Sequence, residues 1–280
     1  MGAAGGHVSA AGAAPPMFSG SIPETYDRYL VPLIFEPYAI DLAARVAALP
    51  LTNVLELACG TGVVTRRLAM ALPASVFIVA TDLAQPMLDQ AASVGTRRPV
   101  EWRQADANHL PFDQGSFDAV VCQFGVMFLP DKARAFAEMR RVLRRGGMLI
   151  FNSWDRVEEN EFTDVIGQAL DRRYPRDPPR FMRSVPHGYH DPDRIRRDLS
   201  AGGFSSEPRI ETVAARSRAA AARIPAIAFC QGTPMRAEIE AREPGGLEAV
   251  TDVAGQALAA RFGHAAVDGR LSAHVVAVEA

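Results

Sequence analysis

Short apolar runs of strand length alternate with longer amphipathic runs of helix length through the middle of the chain. An apolar strand begins at Asn53 and runs into a glycine turn. The elements predicted after this turn are a helix at 63–72, a strand at 76–81, a helix at 84–94, strands at 100–105 and 117–123, a helix at 131–143 and a strand at 148–152. Such alternation is typical of a parallel sheet with helices on both faces, which binds ligands at the carboxyl ends of its strands.

The N-terminal part of the chain has two different compositions. The first sixteen residues are rich in Ala, Gly and Pro and lack the features of a secretion signal, so residues 1–20 are predicted to be a disordered tail. From Ile22 the chain is aromatic and punctuated by proline, and it continues into an Ala/Leu helix that ends near Leu49. The segment from residue 21 to about residue 49 is predicted to form N-terminal lid helices. If the part that contains Tyr26 and Tyr29 is helical, these two residues share a face, and they either pack the lid helices onto the sheet or cover a ligand.

The C-terminal part contains further helices and two strands. The predicted elements are a helix from 158 followed by a Pro/Arg-rich loop, an arginine-rich helix ending at 201, a strand at 209–214, helical segments within 219–262 and a strand at 271–278. With 280 residues and 48% apolar content, the chain is long enough for one large core, so residues 21–280 are predicted to form a single domain. Insertions at about 155–185 and 216–265 are the predicted walls of a substrate pocket.

The glycine turn and the end of the next strand carry the most specific chemical signal. A strand, the turn Gly60-Thr-Gly62, a helix and a second strand ending in Asp82 form the arrangement that binds the ribose of an adenosine cofactor. Glu56 lies near the place of a dinucleotide's pyrophosphate, where like charges repel. Thr65 replaces the third glycine of a dinucleotide fingerprint, and no phosphate-binding Gly-Lys-Ser/Thr follows. The predicted cofactor is therefore S-adenosylmethionine, whose sulfonium and ammonium suit a carboxylate.

Further motifs follow this turn in a fixed order. The set consists of Glu56-Leu-Ala-Cys-Gly60-Thr-Gly62, the acid Asp82, Gln104-Ala-Asp106-Ala-Asn-His-Leu-Pro-Phe112, Ser116-Phe-Asp118-Ala-Val-Val-Cys122-Gln-Phe and Val142-Leu-Arg-Arg-Gly146-Gly147. In this order they resemble the motifs of class I S-adenosylmethionine-dependent methyltransferases. The resemblance covers mainly residues 50–153 and is greatest to the small-molecule branch that includes ubiquinone and menaquinone biosynthesis enzymes.

The resemblance implies both a fold and a binding site. The fold is an α/β, three-layer Rossmann-like methyltransferase fold, whose mostly parallel seven-stranded sheet has an antiparallel last strand beside the fifth. The implied cofactor-binding residues are Tyr26, Tyr29, Glu56, Gly60, Gly62, Asp82, Leu83, Met87, Asp106, Ala107 and Gln123. Structural explanations also fit some of them: Asp82 as a helix cap, Asp106 as a turn residue and Met87 as part of the core.

Methyl transfer from a sulfonium is a one-step displacement that gains most from positioning and exclusion of water. A protein base is needed only if the acceptor must first lose a proton. His187 and His190 are the candidate catalytic residues, because histidine titrates near neutrality. His190 also fits a helix start, in which Asp191 is the cap and Pro192 takes the first helical position.

The composition argues against nucleic acids, membranes and metal ions as partners of the protein. The formal net charge is −2 and Lys132 is the only lysine, so no basic stripe predicts nucleic-acid binding. No apolar run has the length of a membrane span. The three cysteines lack metal-ligand spacing, which predicts no metal site and favours a reducing cytoplasm. The protein is expected to be a monomer or homodimer that acts on a small molecule.

The predicted function is S-adenosylmethionine-dependent methylation of a small, apolar or aromatic metabolite at carbon, oxygen or nitrogen. One alternative is an NAD- or FAD-dependent oxidoreductase, which shares the ribose acid but must place its diphosphate near Glu56. The other is a noncatalytic regulator that binds an adenosyl ligand without turnover.

Overall fold

A computed structural model of the chain describes Phe18 and residues 20–280. The predicted disordered tail, residues 1–20, therefore lies outside the described residues except for Phe18 and Gly20. Seven strands form one sheet within the described part: β1 Asn53–Leu57, β2 Phe77–Asp82, β3 Glu101–Gln104, β4 Phe117–Gln123, β5 Leu143–Trp154, β6 Arg209–Ala219 and β7 Val267–Glu279.

The strand order is β3-β2-β1-β4-β5-β7-β6. Strands β1 to β5 pair in parallel, whereas β7 runs antiparallel to both of its neighbours, β5 and β6. This confirms the predicted Rossmann-like sheet, including the antiparallel last strand beside the fifth. The carboxyl ends of β1, β2 and β4 consequently lie side by side at one edge of the sheet.

Helices cover the sheet and connect its parallel strands. The α-helices among the described residues are α1 Ile22–Thr25, α2 Glu36–Ala47, α3 Val63–Ala71, α4 Gln85–Val94, α5 Lys132–Val142, α6 Glu161–Arg173, α7 Phe181–Ser184, α8 Pro192–Ala201, α9 Arg223–Gln231, α10 Met235–Arg242 and α11 Leu247–Phe262. A π-helix spans Tyr26–Phe35, and 3₁₀-helices span Val126–Phe128, Val157–Glu159 and Pro186–Tyr189.

The core is centred on β1 and β4. Leu55 and Val120 in these strands have no exposed surface, as expected for parallel strands that are covered on both faces and have nearly continuous apolar sequences. Helix α2 packs against α3, and α5 against α8, while α9 and α11 pack together beside α6 and the π-helix. Helices α6 and α11 of the insertions also pack against β7 of the sheet.

Three strands are longer than predicted. Strand β5 begins at Leu143 because Leu143 still pairs with Phe117, and a register shift accommodates the polar Arg144-Arg145-Gly146-Gly147 segment. Strands β6 and β7 extend to the pair Ala219 and Val267. In this extension the exposed guanidinium groups of β6 pair with Asp268 of β7, at 2.7 and 3.1 Å. Because polar residues pair across this part of the ladder, the sequence lacks the apolar pattern that would have predicted its full length.

The lid segment is a π-helix rather than a regular α-helix. Pro32 lies inside it, and at its end the Glu36 N–H donates to the Val31 carbonyl, five residues back. Proline lacks an N–H and its ring disturbs the α-helical ladder. The wider π turn absorbs that disturbance, and it changes which side chains share a face.

Candidate active site

Two tight turns meet at the carboxyl ends of β1 and β4. Ala58 and Phe124, the first residues after these strands, have φ values of 50° and 49°, which side chains other than glycine seldom adopt. A Cβ on Gly125 would lie 2.6 Å from the Ala58 Cβ, so glycine is required where the turns touch. Backbone strain of this kind concentrates at functional sites, and here it marks one edge of the sheet.

A cavity of about 340 Å³ lies along this edge, within the roughly 300–1,000 Å³ range of small-ligand sites. Its walls come from the ends of β1, β2 and β4, the loop after β3, and the lid segment. The predicted cofactor residues that line it are Tyr26, Gly60, Asp82, Leu83, Met87, Asp106, Ala107 and Gln123. The fold therefore brings most of the separate sequence motifs to one cavity.

Asp82 connects the end of β2 to the glycine turn after β1. Its carboxylate oxygens accept hydrogen bonds from the N–H of Gly60 and the N–H of Ala84, both at 2.8 Å. Burial raises the pKa of Asp82, and these backbone donors oppose that effect. Helix α4 has Ala84 as its N-cap, so Asp82 orders the preceding turn rather than capping the helix. A carboxylate has about four acceptor positions, which leaves two for a ligand's hydroxyl groups.

The cavity also has an apolar region with a nearby charged acceptor. Leu83 is 67% exposed although it is apolar, and Met87 is buried behind it in the same wall. Asp106 accepts a 2.9 Å hydrogen bond from the Asn108 N–H, and this contact lowers its pKa. Asp106 is thus a turn residue and a cavity residue at once. An exposed leucine near a carboxylate suits a flat aromatic ring that carries an amino group.

Two buried acceptor atoms in the cavity wall have no hydrogen-bond partner among the described residues. They are Oε1 of Gln123 and Oδ1 of Asn108. A buried polar atom without a partner costs about 1–3 kcal/mol. A ligand with ammonium, amino or hydroxyl donors would remove this cost, whereas a diphosphate would not.

Glu56 does not line the cavity, which corrects its predicted contact with the cofactor. Its side chain is 1% exposed and accepts a 2.6 Å hydrogen bond from the Thr65 hydroxyl. Burial raises the pKa of Glu56 to about 8, so its carboxyl group is mostly protonated at neutral pH. A carboxyl group in this state does not present a fixed charge to a diphosphate in the cavity. The carboxylates in the cavity wall are Asp82 and Asp106 instead.

Glu56→Gln should stabilise the protein at pH 8 and change little at pH 4.5. Glutamine keeps an acceptor for Thr65 but does not titrate. Because the folded-state pKa lies above the ordinary 4.5, the contribution of Glu56 to stability is complete below pH 4.5 and is lost as the pH rises towards 8. One pKa unit corresponds to about 1.4 kcal/mol, so the expected gain in unfolding free energy at pH 8 is several kcal/mol.

Urea unfolding at both pH values measures this difference. Glu101→Gln, on the exposed surface of β3, controls for the loss of one negative charge. If Glu56→Gln changes the free energy of unfolding by the same amount at both pH values, the result would contradict a protonated Glu56.

Two other predicted cofactor contacts serve packing instead. A Cβ on Gly62, whose φ is 84°, would lie 3.0 Å from the Trp102 ring and 3.2 Å from the Ala91 Cβ, so this glycine permits the turn to pack closely. Tyr29 does not line the cavity, and the Arg28 guanidinium lies 5.1 Å from its ring centre. The prediction that Tyr29 shares a face with its neighbour three residues back assumed α-helical spacing, which the π-helix does not have.

Neither predicted catalytic histidine lines the cavity, which corrects that assignment. His187 is buried, its Nδ1 lies 2.7 Å from the Asp155 carbonyl oxygen, and burial lowers its pKa to about 4. His190 is exposed, with Nδ1 2.8 Å from the His187 carbonyl oxygen. Asp191 caps α8 through its side chain and Pro192 begins that helix. The helix-start interpretation of this segment is confirmed.

Sequence reasoning missed a number of cavity residues. They are Phe18, Leu57, Ala58, Thr81, Ala84, Ala105, Asn108, Phe124, Gly125, Phe128, Leu129 and Pro130. Most of them flank a strand end, so extending each motif by a few residues would have found them. Phe18 carried no such signal because it lies in the predicted tail; its ring packs edge-on against those of Tyr26 and Phe128, at 6.3 and 5.8 Å.

Other kinds of site are not seen in the part of the chain that the structure describes. Residue 18 and residues 20–280 contain no helix that is long and apolar enough to cross a membrane, and no cluster of His, Cys, Asp or Glu that could hold a metal ion. Cys59, Cys122 and Cys230 are buried thiols, and burial raises the pKa of each. A thiol with a raised pKa is a weak nucleophile at neutral pH.

The fold and cavity define a class of protein. A reversed strand inserted beside β5, together with a ligand-sized cavity at the ends of β1 and β2, is the Rossmann-like arrangement that the resemblance to S-adenosylmethionine-dependent methyltransferases predicted. Known proteins agree with this class. A family described as a methyltransferase domain matches residues 55–151.

Named relatives extend the match beyond that domain. The demethylmenaquinone methyltransferase of Thermus thermophilus is 31% identical over 180 residues, which span 60% of this chain and 79% of that protein. The demethylmenaquinone methyltransferase of Lactiplantibacillus plantarum is 42% identical over 102 residues, which span 35% of this chain and 43% of that protein. The chain thus spans less than half the length of some curated relatives that it matches.

Solved structures share the fold at low identity. The Haemonchus contortus phosphoethanolamine N-methyltransferase 2 with S-adenosylhomocysteine superposes with a TM-score of 0.56 at 15% identity, over 92% of this chain and 57% of that chain. The [4+2]-cyclase SpnF has a TM-score of 0.55 at 19% identity, over 87% and 81%. These likenesses show the fold alone. Since the Thermus relative is matched over most of its length, the chain belongs to the class I S-adenosylmethionine-dependent methyltransferase family.

Proposed function

We propose that this protein transfers a methyl group from S-adenosylmethionine to a small apolar or aromatic metabolite, at carbon, oxygen or nitrogen. The observation that carries the proposal is the strand-end cavity, in which Asp82 holds the Gly60 turn while the space in front of that glycine stays open. A Cβ on Gly60 would meet only the Tyr26 ring, 3.9 Å from its hydroxyl oxygen. Relatives named demethylmenaquinone methyltransferases support a metabolite as the acceptor.

The cavity residues fit the parts of this cofactor. Asp82 has free acceptor positions for the ribose hydroxyls. Leu83 and Met87 offer apolar surface to the adenine ring, and Asp106 offers an acceptor to its amino group. The unpartnered Oε1 of Gln123 suits the ammonium group. Each proposed polar contact pairs an acceptor of the protein with a donor of the cofactor, and none requires Glu56.

When bound, S-adenosylmethionine would supply a methyl group on a sulfonium: the acceptor would form a bond to the methyl carbon as the carbon–sulfur bond breaks, and S-adenosylhomocysteine would leave as a neutral thioether. The chain contributes positioning and exclusion of water, since the rings of Phe18, Phe124 and Phe128 border the cavity. Burial and the nearby Asp82 raise the pKa of Tyr26 well above its usual range, so its hydroxyl stays protonated and acts as a donor. We therefore do not assign Tyr26 as a base, and a proton that the acceptor must lose is released to water.

Calorimetric titration tests the proposal against both alternatives. S-adenosylhomocysteine should bind with one site per chain, while NADH and FAD at the same concentrations should release no heat of binding. Binding of NADH or FAD without S-adenosylhomocysteine would favour an oxidoreductase. Binding of S-adenosylhomocysteine with no methylated product across a panel of phenols, amines and quinols would favour a noncatalytic regulator.

The proposal also includes the cellular location, the domain organisation and the class of acceptor. We infer a cytoplasmic location, because all three cysteines are buried thiols that suit a reducing compartment. Residues 21–280 are proposed to act as one domain, either as a monomer or as a homodimer. The acceptor is proposed to be a small molecule rather than a nucleic acid, since the net charge is −2 and many of the arginines pair with acids.

A further inference from the structure

A second cavity of about 60 Å³ adjoins the first and shares Phe18, Tyr26, Phe124 and Phe128 with it. The π-helix, the end of β5, the region from α7 to the next 3₁₀-helix and the end of α9 form its other walls. We call this second cavity, with Trp154, Phe181 and Phe229 in its walls, the aromatic chamber. Two of its walls belong to the predicted insertions.

The aromatic chamber is lined almost entirely by apolar rings and aliphatic groups. The rings of Phe124 and Trp154 stack with their centroids 3.7 Å apart and their planes at 4°. The Phe181 ring lies 6.1 Å from that of Phe128. Phe181 and Phe229 are buried, so the chamber ends against protein at these walls.

No charged side chain lines the chamber among the described residues. The polar group of Thr233 is already occupied, because its hydroxyl donates to the Phe229 carbonyl at 2.6 Å and accepts from the Met235 N–H at 3.1 Å. An ion that entered would lose its hydration without gaining a partner of opposite charge, and attraction to the aromatic rings would offset only part of this loss for a cation. A neutral apolar group would lose only unfavourable contact with water.

We propose that the aromatic chamber is the acceptor subsite and that it holds a neutral, flat apolar group of limited length. This inference rests on the proposed function, since an acceptor belongs there only if the adjoining cavity holds S-adenosylmethionine. The chamber is smaller than the roughly 150 Å³ cavity that holds a benzene molecule. It therefore takes a substituent or one edge of a ring, while the reacting atom stays at the junction with the larger cavity. Acceptors with a long tail do not fit within it.

Matched small probes test both the charge and the length. With S-adenosylhomocysteine saturating, calorimetry at pH 7 compares 4-ethylphenol, 4-ethylbenzoate and 4-ethylbenzylammonium, followed by 4-octylphenol. The neutral 4-ethylphenol should bind at least tenfold more tightly than either ion and at least fivefold more tightly than 4-octylphenol. Equal or tighter binding of an ion, or of 4-octylphenol, would overturn the inference.

Variants locate the probe in the chamber. Phe181→Leu should remove most of the discrimination against 4-octylphenol, whereas Phe162→Leu should not, because Phe162 packs against Phe262 outside both cavities. Met182→Glu, at a partly exposed chamber position, should raise the affinity for 4-ethylbenzylammonium at least tenfold. Probe binding that is insensitive to both Phe181→Leu and Met182→Glu would overturn the inference.

The titration also distinguishes two kinds of failure. If S-adenosylhomocysteine binds and a methylated product forms, but the probes show none of these preferences, the chamber assignment fails and the proposed function stands. If S-adenosylhomocysteine does not bind, the proposed function fails, and the chamber assignment falls with it.

Discussion

Asp82→Ala should weaken the binding of S-adenosylhomocysteine at least tenfold. The substitution removes the carboxylate assigned to the ribose hydroxyls. It also releases the N–H groups of Gly60 and Ala84, each held at 2.8 Å. Hydrogen bonds to a charged group contribute about 1.5–3 kcal/mol, and about 1.4 kcal/mol corresponds to a factor of ten in affinity. Isothermal titration calorimetry measures the change directly.

Asp89→Ala is the matched control for this experiment. Asp89 lies in α4, the helix that follows Asp82, and on the exposed surface, where it accepts a 2.8 Å hydrogen bond from Gln85. Its removal makes the same change in net charge without touching the cavity, so the affinity should stay within twofold of the wild type. A folded Asp82→Ala variant that behaves like Asp89→Ala would contradict the assignment of the ribose site.

Gly60→Val should also weaken S-adenosylhomocysteine binding at least tenfold, for a steric reason. The Gly60 φ is 55°, and only the Tyr26 ring lies within 4 Å of a Cβ placed there. A valine side chain would therefore extend into the cavity and occupy space that the ligand needs, while a β-branched residue at positive φ adds backbone strain. The same calorimetric titration gives the loss of affinity, and thermal unfolding gives the strain.

Gly245→Val separates the two effects of that substitution. Gly245 has a φ of 76° with nothing within 4 Å of its Cβ position, and it lies between α10 and α11, outside the cavity. Its valine variant should lose stability but keep its affinity for S-adenosylhomocysteine. A comparable loss of affinity in both variants would show that backbone strain, rather than obstruction, explains the result for Gly60→Val.

The sheet and most of the cavity could be predicted because their signals are local. Buried parallel strands produce apolar runs, and β4 was predicted at its observed bounds. Asp82 ends β2 and Gly60 lies in the turn after β1, and because these two strands are neighbours the topology brings the two residues together. Eight of the eleven predicted cofactor contacts line the cavity for this reason.

The failures came from properties that residue type does not encode. Side chains along a strand alternate between two faces, and nothing in the sequence indicates that Glu56 turns towards Thr65. The histidines were chosen for their titration range, although tertiary packing buries His187 against a backbone carbonyl. Pro32 was the visible sign of the π-helix, but the sequence does not show how widely the turns around it open.

The position of β7 has a consequence for how the molecule is assembled. This strand provides the hydrogen-bonding edge for β6, and it is built from residues 267–279, which are translated only after β6 and the three helices α9, α10 and α11 that follow it. During synthesis the edge of β6 therefore stays unpaired until β7 leaves the ribosome. Pairings between distant parts of a chain form slowly, and exposed edges promote aggregation. Newly made protein should therefore be vulnerable to aggregation in the interval between the synthesis of β6 and the release of β7.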